Sequence, residues 1–211
     1  ETPTAVLLHG AGNGTKDRLV PLLTDFRARG CRVLAFDFSG HGHSTGRLGE
    51  LSLRRRFRQA TSVIEARVPA ASPLVLAGFS MSGQTLADLT GRFGDRVAAL
   101  GLCAPAVYAA EAWDVPFGDG DGRFSEIIRR PESWRGAPAL GALRGYRGRA
   151  VLAVPGTDEV IPPAVTEAVA EALAARSRLT RLDFPGAGHR LGDWFREHPA
   201  DRARFADALL A

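Results

Sequence analysis

A serine lies where an apolar run meets a turn of small residues. Residues 74–77 predict a buried strand, residues 78–83 (Gly-Phe-Ser-Met-Ser-Gly) follow it, and a helical pattern begins at Gln84. A strand, a sharp turn and a helix in this order hold a serine hydroxyl clear of a sheet, which requires small flanking residues. We therefore predict that Ser80 is a nucleophile, with Ser82 where glycine is usual. A nucleophile at Ser82 would have Ser80 and Gln84 at the flanking positions, which fits worse. A turn serine that caps a helix is the structural alternative.

Two further segments place an acid and a histidine after apolar runs. Asp158 lies in Gly-Thr-Asp-Glu-Val-Ile-Pro, and His189 follows two glycines after the last run. Glu159 competes for the acid role, but Asp158 is nearer the strand. Because the carboxyl ends of parallel strands meet at one edge of a sheet, all three groups are expected to converge there. We predict that His189 takes the proton of Ser80, and that Asp158 orients the imidazole and stabilises its cation.

A glycine-rich loop predicts the groups that would stabilise a developing negative charge. Residues 9–14 (His-Gly-Ala-Gly-Asn-Gly) follow the first apolar run. Glycines leave backbone N–H groups free to point at a site, and such donors are often the largest contribution to catalysis. We predict the amides of Ala11 and Met81 as the donors, with Gly12 as the close alternative. A phosphate-binding loop is the rival interpretation, but no Lys-Ser/Thr pair follows the glycines.

Alternating strand and helix patterns predict the elements that position these loops. The apolar runs of strand length are residues 5–8, 32–36, 74–77, 97–103, 150–154 and 179–184. Nearly continuous hydrophobicity is typical of parallel strands buried on both faces, and the helical stretches between them indicate βαβ units. We predict an α/β fold: one domain over residues 1–211, built on a doubly wound, mostly parallel sheet of about six strands.

One connection is much longer than the others. Between the fourth and fifth strands, residues 106–148 contain no convincing strand, and long insertions of this kind are usually functional. We predict a small helical lid around a glycine- and aspartate-rich turn at residues 118–122. Its aromatic residues are expected to wall a pocket for an acyl or aromatic group: Trp113, Phe117, Phe124 and Trp134. The alternative is an insertion with a purely structural role and its own small hydrophobic cluster.

Composition excludes several classes of partner. The net charge of +4 is carried almost entirely by scattered arginines, with Lys16 as the single lysine. Nucleic-acid binding requires a contiguous basic footprint, which the sequence lacks. Cys31 and Cys103 are far apart and are interpreted as buried thiols. No pattern implies a metal or an organic cofactor.

The sequence also indicates no membrane anchor. The longest mostly apolar stretch, residues 97–110, is interrupted by Pro105 and is shorter than the roughly 20 residues that a membrane span needs. With no signal-peptide pattern, we expect a cytoplasmic protein. The chain begins at Glu1 without methionine, so this expectation on localisation rests on an N-terminus that the sequence does not establish.

Taken together, these motifs resemble the α/β-hydrolase superfamily. His9-Gly10 is similar to its oxyanion loop, residues 37–44 (Asp-Phe-Ser-Gly-His-Gly-His-Ser) to its D-x-x-G-H-G-x-S turn, and residues 78–83 to its nucleophile elbow. Asp158 lies in a segment like the family's acid loop, and His189 in one like its base loop. The resemblance covers essentially the whole chain and implies the hydrolase fold and a Ser-Asp-His triad.

The chain departs from the family's pattern in two places. Ser82 replaces a glycine of the elbow, and the two leading antiparallel strands of the family are absent, so the chain is either a minimal version or truncated. By the same resemblance, residues of the turn are expected to shape the site's surroundings rather than to catalyse: Asp37, His41, His43 and Ser44.

We expect an esterase-type hydrolase that forms an acyl-enzyme on Ser80 and acts on a small acyl substrate. A thioesterase acting on acyl groups of coenzyme A or of a carrier protein is the alternative, since many arginines surround the lid. A hydrolase fold that only binds a ligand, without catalysis, is a third interpretation. Fold and triad are shared by many chemistries and do not separate these.

Overall fold

The computed structural model describes residues 1–118 and 120–211; Asp119, within the predicted turn at 118–122, lies outside the described residues. The described residues form a single sheet of six strands. These are β1 (Thr4–Leu8), β2 (Arg32–Ala35), β3 (Leu74–Phe79), β4 (Val97–Cys103), β5 (Arg149–Thr157) and β6 (Arg178–Gly188). Every adjacent pair is parallel. The predicted fold class is confirmed.

Eight α-helices flank or extend beyond this sheet in the described part of the chain. They are α1 (Val20–Ala28), α2 (Leu53–Arg67), α3 (Ser82–Phe93), α4 (Arg123–Arg129), α5 (Pro138–Gly145), α6 (Pro163–Ala174), α7 (Leu191–Glu197) and α8 (Pro199–Leu210). None of these helices is both long and apolar enough to cross a membrane.

The strands bury both faces, which explains their continuous hydrophobicity. Along β1, Val6 and Leu8 pack on one side with residues of α2, α3, α5 and α6. Ala5 and Leu7 pack on the other side with residues of α1, α7 and α8. Successive side chains of a strand point to opposite faces, so a strand between two helical layers must be apolar at every position.

The strand order places the candidate loops side by side. The sheet runs β2-β1-β3-β4-β5-β6, so the chain leaves β1 towards one edge and returns to pair β3 on the other side of β1. In open parallel sheets this reversal leaves a crevice at the carboxyl ends of the strands, where ligands bind. The loops after β1 and β3 border that crevice.

The long insertion divides into two parts. Ala139, Leu140 and Leu143 of α5 pack in the main core against α3 and α6. The earlier part forms a separate cluster in which Ala112, Phe124 and other apolar residues pack on Met81. The predicted lid boundaries of 106–148 therefore include a helix of the main layer, and we propose that any lid is confined to the part before α5 that packs on Met81.

A matched pair of glycines tests how tightly the layers pack. A Cβ on Gly101 in β4 would lie 2.8 Å from atoms of both Phe205 and Leu209, whereas a Cβ on Gly91 in α3 would meet nothing within 4 Å. We expect Gly101→Ala to lower the free energy of unfolding by about 1–3 kcal/mol. Gly91→Ala should leave it unchanged or raise it by up to about 1 kcal/mol. Chemical denaturation measures both, and equal stabilities would contradict this packing.

Candidate active site

The turn after β3 holds Ser80 in a strained conformation. Its φ angle is +52°, in the left-handed region that non-glycine residues rarely adopt. The Ser80 amide donates to the Cys103 carbonyl at 2.9 Å, and its carbonyl accepts from the amides of Gly83 and Ala106 at 2.8 and 3.0 Å. A Cβ on Gly78 would lie 2.9 Å from the Cβ of Ser82, so glycine is required there. Surrounding bonds thus impose the strain, as a nucleophile elbow demands.

The structure brings Ser80, His189 and Asp158 into one hydrogen-bonded chain. His189 Nε2 lies 2.9 Å from Ser80 Oγ, and His189 Nδ1 lies 3.0 and 3.1 Å from the two carboxylate oxygens of Asp158. The backbone amides of Val160 and Ile161 donate to Asp158 Oδ1 at 2.8 and 2.9 Å, which fixes the carboxylate. This geometry lets the imidazole accept a proton from the serine hydroxyl while the carboxylate holds its orientation.

The same contacts decide between the competing residues. Glu159 is exposed, and in the described structure it forms no hydrogen bond or ion pair with His189, whereas Asp158 forms both. Ser82 is fully buried, and its hydroxyl donates to the carbonyl of His9 at 2.6 Å. The Ser82 hydroxyl therefore bonds within the protein interior, and Ser80 is the serine whose hydroxyl lies next to the imidazole of His189.

A cavity of about 310 Å³ opens beside Ser80 and His189. The loop at residues 9–15 forms one wall, including Ala11 and Gly12, and Gly12 has a φ angle of +68° that favours glycine. In the described structure, the amides of Ala11 and Met81 donate to no backbone carbonyl. The predicted oxyanion donors therefore have free N–H groups, and their role is part of the function proposed below.

A buried histidine fixes the start of this loop. His9 Nε2 accepts from the Phe38 amide at 3.1 Å, so the ring proton is on Nδ1, which donates to the Gly10 carbonyl at 2.6 Å. The ring packs against Phe38 and His41, with centroids 5.2 and 4.7 Å away. Burial and the nearby Arg56 cation lower the pKa of His9 to about 3. The imidazole is therefore neutral at physiological pH, as its accepting nitrogen requires.

The sequence analysis missed a buried cation below the loop. Arg56 in α2 is 0% exposed, and its Nη2 donates to the His9 carbonyl and to Ser82 Oγ, both at 2.8 Å. Its guanidinium carbon lies 3.8 Å from the Phe38 ring centroid. Burial lowers its pKa to about 9. Arg56 thus joins the loop at residues 9–15 to the first residue of α3, through the serine that replaces the expected glycine.

A sequence signal for this residue was available. The apolar side of α2 contains Leu53, Ala60 and Ile64, and position 56 lies three residues after the first and four before the second. Residues at these spacings share one helix face. Arg56 was counted only among the scattered arginines of the chain, and its place on the buried face of α2 was not predicted.

The aspartate of the turn at residues 37–44 stabilises that turn. Asp37 accepts from the backbone and side-chain nitrogens of Lys16 at 2.7 and 2.6 Å, and from the His43 amide at 3.2 Å. Burial opposes ionisation, but these hydrogen bonds prevail and lower the pKa of Asp37 to about 2. The Ser44 hydroxyl donates to the Asp37 carbonyl at 2.6 Å. In this structure the residues hold a turn, as expected from the resemblance.

The structure does not bring the four lid aromatics to the cavity that contains Ser80. Phe117 and Phe124 pack on each other with centroids 4.6 Å apart. Trp134 packs on the main core and lies under the guanidinium of Arg135, and Trp113 lines a different cavity. The expected aromatic wall is wrong for this cavity, because large apolar rings in the insertion bury their surface against one another and against the core.

A strained serine hydrogen-bonded to a histidine, which is in turn hydrogen-bonded to an aspartate at the carboxyl edge of a parallel sheet, defines the hydrolase class of α/β protein. The chain belongs to the α/β-hydrolase family: the profile described as "Alpha/beta hydrolase family" matches residues 5–205. No curated protein sequence matches the chain.

Solved structures with the same fold include several hydrolases. The chain is similar to a monoacylglycerol lipase from Paleococcus ferrophilus, with a TM-score of 0.71, 21% identity and coverage of 98% of this chain and 96% of that one. A thioesterase domain from the curacin biosynthetic pathway has a TM-score of 0.72 and 18% identity, with coverage of 100% of this chain and 92% of that one. The enol-lactonase from Burkholderia xenovorans LB400 has a TM-score of 0.70 and 19% identity, with coverage of 100% of this chain and 92% of that one. At these identities the likeness shows the fold alone.

Because His9 is neutral in the folded protein, we expect the folded protein to lose stability in acid. Between its ordinary pKa of about 6.5 and its folded pKa of about 3, the unfolded chain binds a proton that the folded chain does not. Stability is therefore lost as pH falls through this window, by about 1 kcal/mol per pH unit from this residue. Denaturation titrations should show a smaller loss for His9→Gln than for wild type.

The exposed His43 provides the control, since its side chain is 82% exposed and His43→Gln should retain the wild-type profile. Burial also lowers the pKa of His41, so the slope of His9→Gln is reduced rather than abolished. Identical pH profiles for wild type and His9→Gln would contradict the assignment of a neutral His9.

Arg56 is expected to act as a positioning residue for the loop. Arg56→Met keeps much of the side-chain volume but removes the bonds to His9 and Ser82, so the loop amides lose their support. A misplaced N–H donor weakens stabilisation of the transition state more than it weakens binding of the substrate. We expect kcat for an ester substrate to fall roughly ten- to hundredfold with little change in KM. Arg56→Lys should recover part of the loss.

The control for this substitution is Arg58→Met, because Arg58 is exposed on the same helix. Thermal melts must accompany the kinetics, since removing a buried group can alter folding. An Arg56→Met protein with wild-type stability and unchanged kcat would show that the loop needs no such support.

Proposed function

We propose that this chain is a serine hydrolase that cleaves a carboxylic ester through an acyl-enzyme on Ser80. The continuous chain of hydrogen bonds from Ser80 through His189 to Asp158, beside a cavity walled by loop amides, carries the proposal. A serine hydroxyl alone is a weak nucleophile, and a neighbouring base with its own orienting group is the arrangement that activates it.

The first half-reaction forms the acyl-enzyme. Ser80 Oγ attacks the ester carbonyl carbon while His189 Nε2 accepts the hydroxyl proton. The negative charge that develops on the carbonyl oxygen is stabilised by the amides of Ala11 and Met81, with Gly12 as a further donor. Asp158 stabilises the imidazolium. The imidazolium then donates its proton to the departing alcohol oxygen.

The second half-reaction regenerates the enzyme. His189 accepts a proton from water, whose oxygen attacks the acyl carbon, and the carboxylic acid leaves as Ser80 Oγ regains its proton. These steps use protein groups and water only, so the proposed mechanism calls for no metal or organic cofactor.

The cavity supports a small acyl substrate. Its apolar lining comes from the main fold and not from the lid: Leu19, Phe79, Val160 and Leu191. At its rim Arg18 and Asp193 form an ion pair at 3.1 Å. A volume of about 310 Å³ is at the lower end of ordinary ligand pockets, so we propose that short acyl groups are accepted best.

A thioesterase activity is the second candidate, supported by the similarity to the thioesterase domain from the curacin pathway. The lid arginines that suggested a carrier protein are partly engaged within the chain. Arg130 pairs with Glu111 and Arg135 with Glu132, and Arg18, which lies at the rim of the cavity itself, pairs with Asp193. We propose that a carrier partner, where one exists, would approach this rim.

Hydrolysis of p-nitrophenyl esters from acetate to octanoate tests the proposed function. We expect activity on the shorter esters, and Ser80→Ala should lower kcat/KM by about a thousandfold or more. Ser62→Ala, at an exposed position of α2, serves as the matched control and should retain activity.

Acyl-coenzyme A thioesters and a fluorophosphonate label separate the remaining alternatives. Faster turnover of thioesters than of oxygen esters would replace the esterase proposal with the thioesterase. Equal background rates for wild type and Ser80→Ala on both substrate classes, without labelling of Ser80, would instead support a fold that only binds its ligand.

A further inference from the structure

A second cavity, of about 320 Å³, lies on the lid side of α3. It shares no lining residue with the cavity at Ser80. Its walls come from α2, α3 and the insertion, and the residues that matter here are Leu53, Gln84, Asp88, Tyr108, Trp113 and Pro138. The proposed hydrolysis makes no use of this space.

An unpaired carboxyl group faces this cavity. Both oxygens of Asp88 accept from Gln84 Nε2, at 3.0 and 3.3 Å. The Gln84 amide is oriented because its Oε1 accepts from the Tyr108 amide at 3.1 Å. Among the described residues, no lysine, arginine or histidine nitrogen lies within 4.0 Å of the carboxyl group. One amide donor leaves most of the accepting capacity of a carboxylate unused.

The surroundings make this carboxyl group costly to ionise without a partner. Burial raises the pKa of Asp88 to about 7, although the Gln84 hydrogen bond opposes that shift. A carboxylate in a low-dielectric site is stabilised by an opposite charge a few ångströms away. A positive group that donates hydrogen bonds would supply this opposite charge.

The remaining walls suit the body of such a ligand. Tyr108 and Trp113 contribute aromatic rings, and Leu53 and Pro138 contribute aliphatic surface. Aromatic faces attract cations, with tryptophan the strongest, and apolar walls exclude water from a charge pair. A metal ion fits poorly, because among the described residues no group of three or more histidine, cysteine or carboxylate side chains occurs.

We propose that this cavity binds a small organic cation: a primary ammonium group seated against Asp88 and Gln84, carried on an apolar body between Leu53 and Trp113. The site is independent of the proposed hydrolysis. Its ligand contacts α3, the helix that begins two residues after Ser80, and the Tyr108 end of the insertion.

Calorimetric titration of benzylamine against benzyl alcohol tests the proposal, with the two probes differing mainly in charge. The measurement is made near pH 8, about one unit above the pKa of Asp88, where the carboxyl group is largely ionised. We expect wild type to bind benzylamine about tenfold or more tightly than benzyl alcohol. Asp88→Asn, which keeps the shape but not the charge, should remove that preference.

Two variants and one modification locate the ligand. Trp113→Leu should weaken benzylamine binding while the preference for the cation remains. Glu171→Gln, at an exposed position of α6, is the matched control and should bind as wild type does. Protein labelled at Ser80 with a fluorophosphonate should also bind benzylamine unchanged, because the two cavities are separate. Circular dichroism verifies that each variant is folded.

Several results would overturn the proposal. These are no binding of benzylamine to wild type, equal affinities for amine and alcohol, or a preference that survives in folded Asp88→Asn. Loss of binding on labelling of Ser80 would place the ligand in the other cavity. The comparison of amine with alcohol uses wild type alone, so it remains decisive even where Asp88→Asn does not fold.

Discussion

Parallel pairing of β1 with β3 is the constraint on which the rest of the structure depends. It places the loop that begins at His9 beside the turn that holds Ser80, with no further element needed to bring them together. Parallel pairing also directs β5 and β6 to the same edge, so His189 reaches the serine and Asp158 reaches His189 from one side. A single sheet direction therefore assembles four loops that are distant in sequence.

The buried contacts around Ser82 show how this chain accommodates its departure from the family's pattern. A glycine at this position would leave the His9 carbonyl with Arg56 Nη2 as its side-chain donor. The serine hydroxyl adds a second donor to that carbonyl and an acceptor for the guanidinium. These bonds satisfy Nη2 of Arg56, whereas its Nε and Nη1 are buried without a hydrogen-bond partner in the described structure. The substitution is thus coupled to an arginine on another helix, and we regard the two residues as one unit.

The sequence was sufficient to predict the sheet and the meeting of the three candidate catalytic residues. Each of these residues follows a strand whose continuous hydrophobicity is a strong local signal, and parallel topology converts chain order into proximity. The placement of Trp113 and Trp134 was not predictable in this way. Whether an apolar ring in an insertion faces a cavity or a neighbouring ring depends on tertiary packing, which has no local period. Arg56 was missed because charge outweighed helical spacing in its interpretation.

The order of the strands along the chain also determines when the site can form during synthesis. The contact between Ser80 and His189 spans 109 residues, and His189, the proposed base, lies on the loop after the last strand. During synthesis from the N-terminus, the elbow can fold against β1 and β4 while its base is still untranslated. The proposed nucleophile and its proposed base therefore meet only when the final strand joins the sheet.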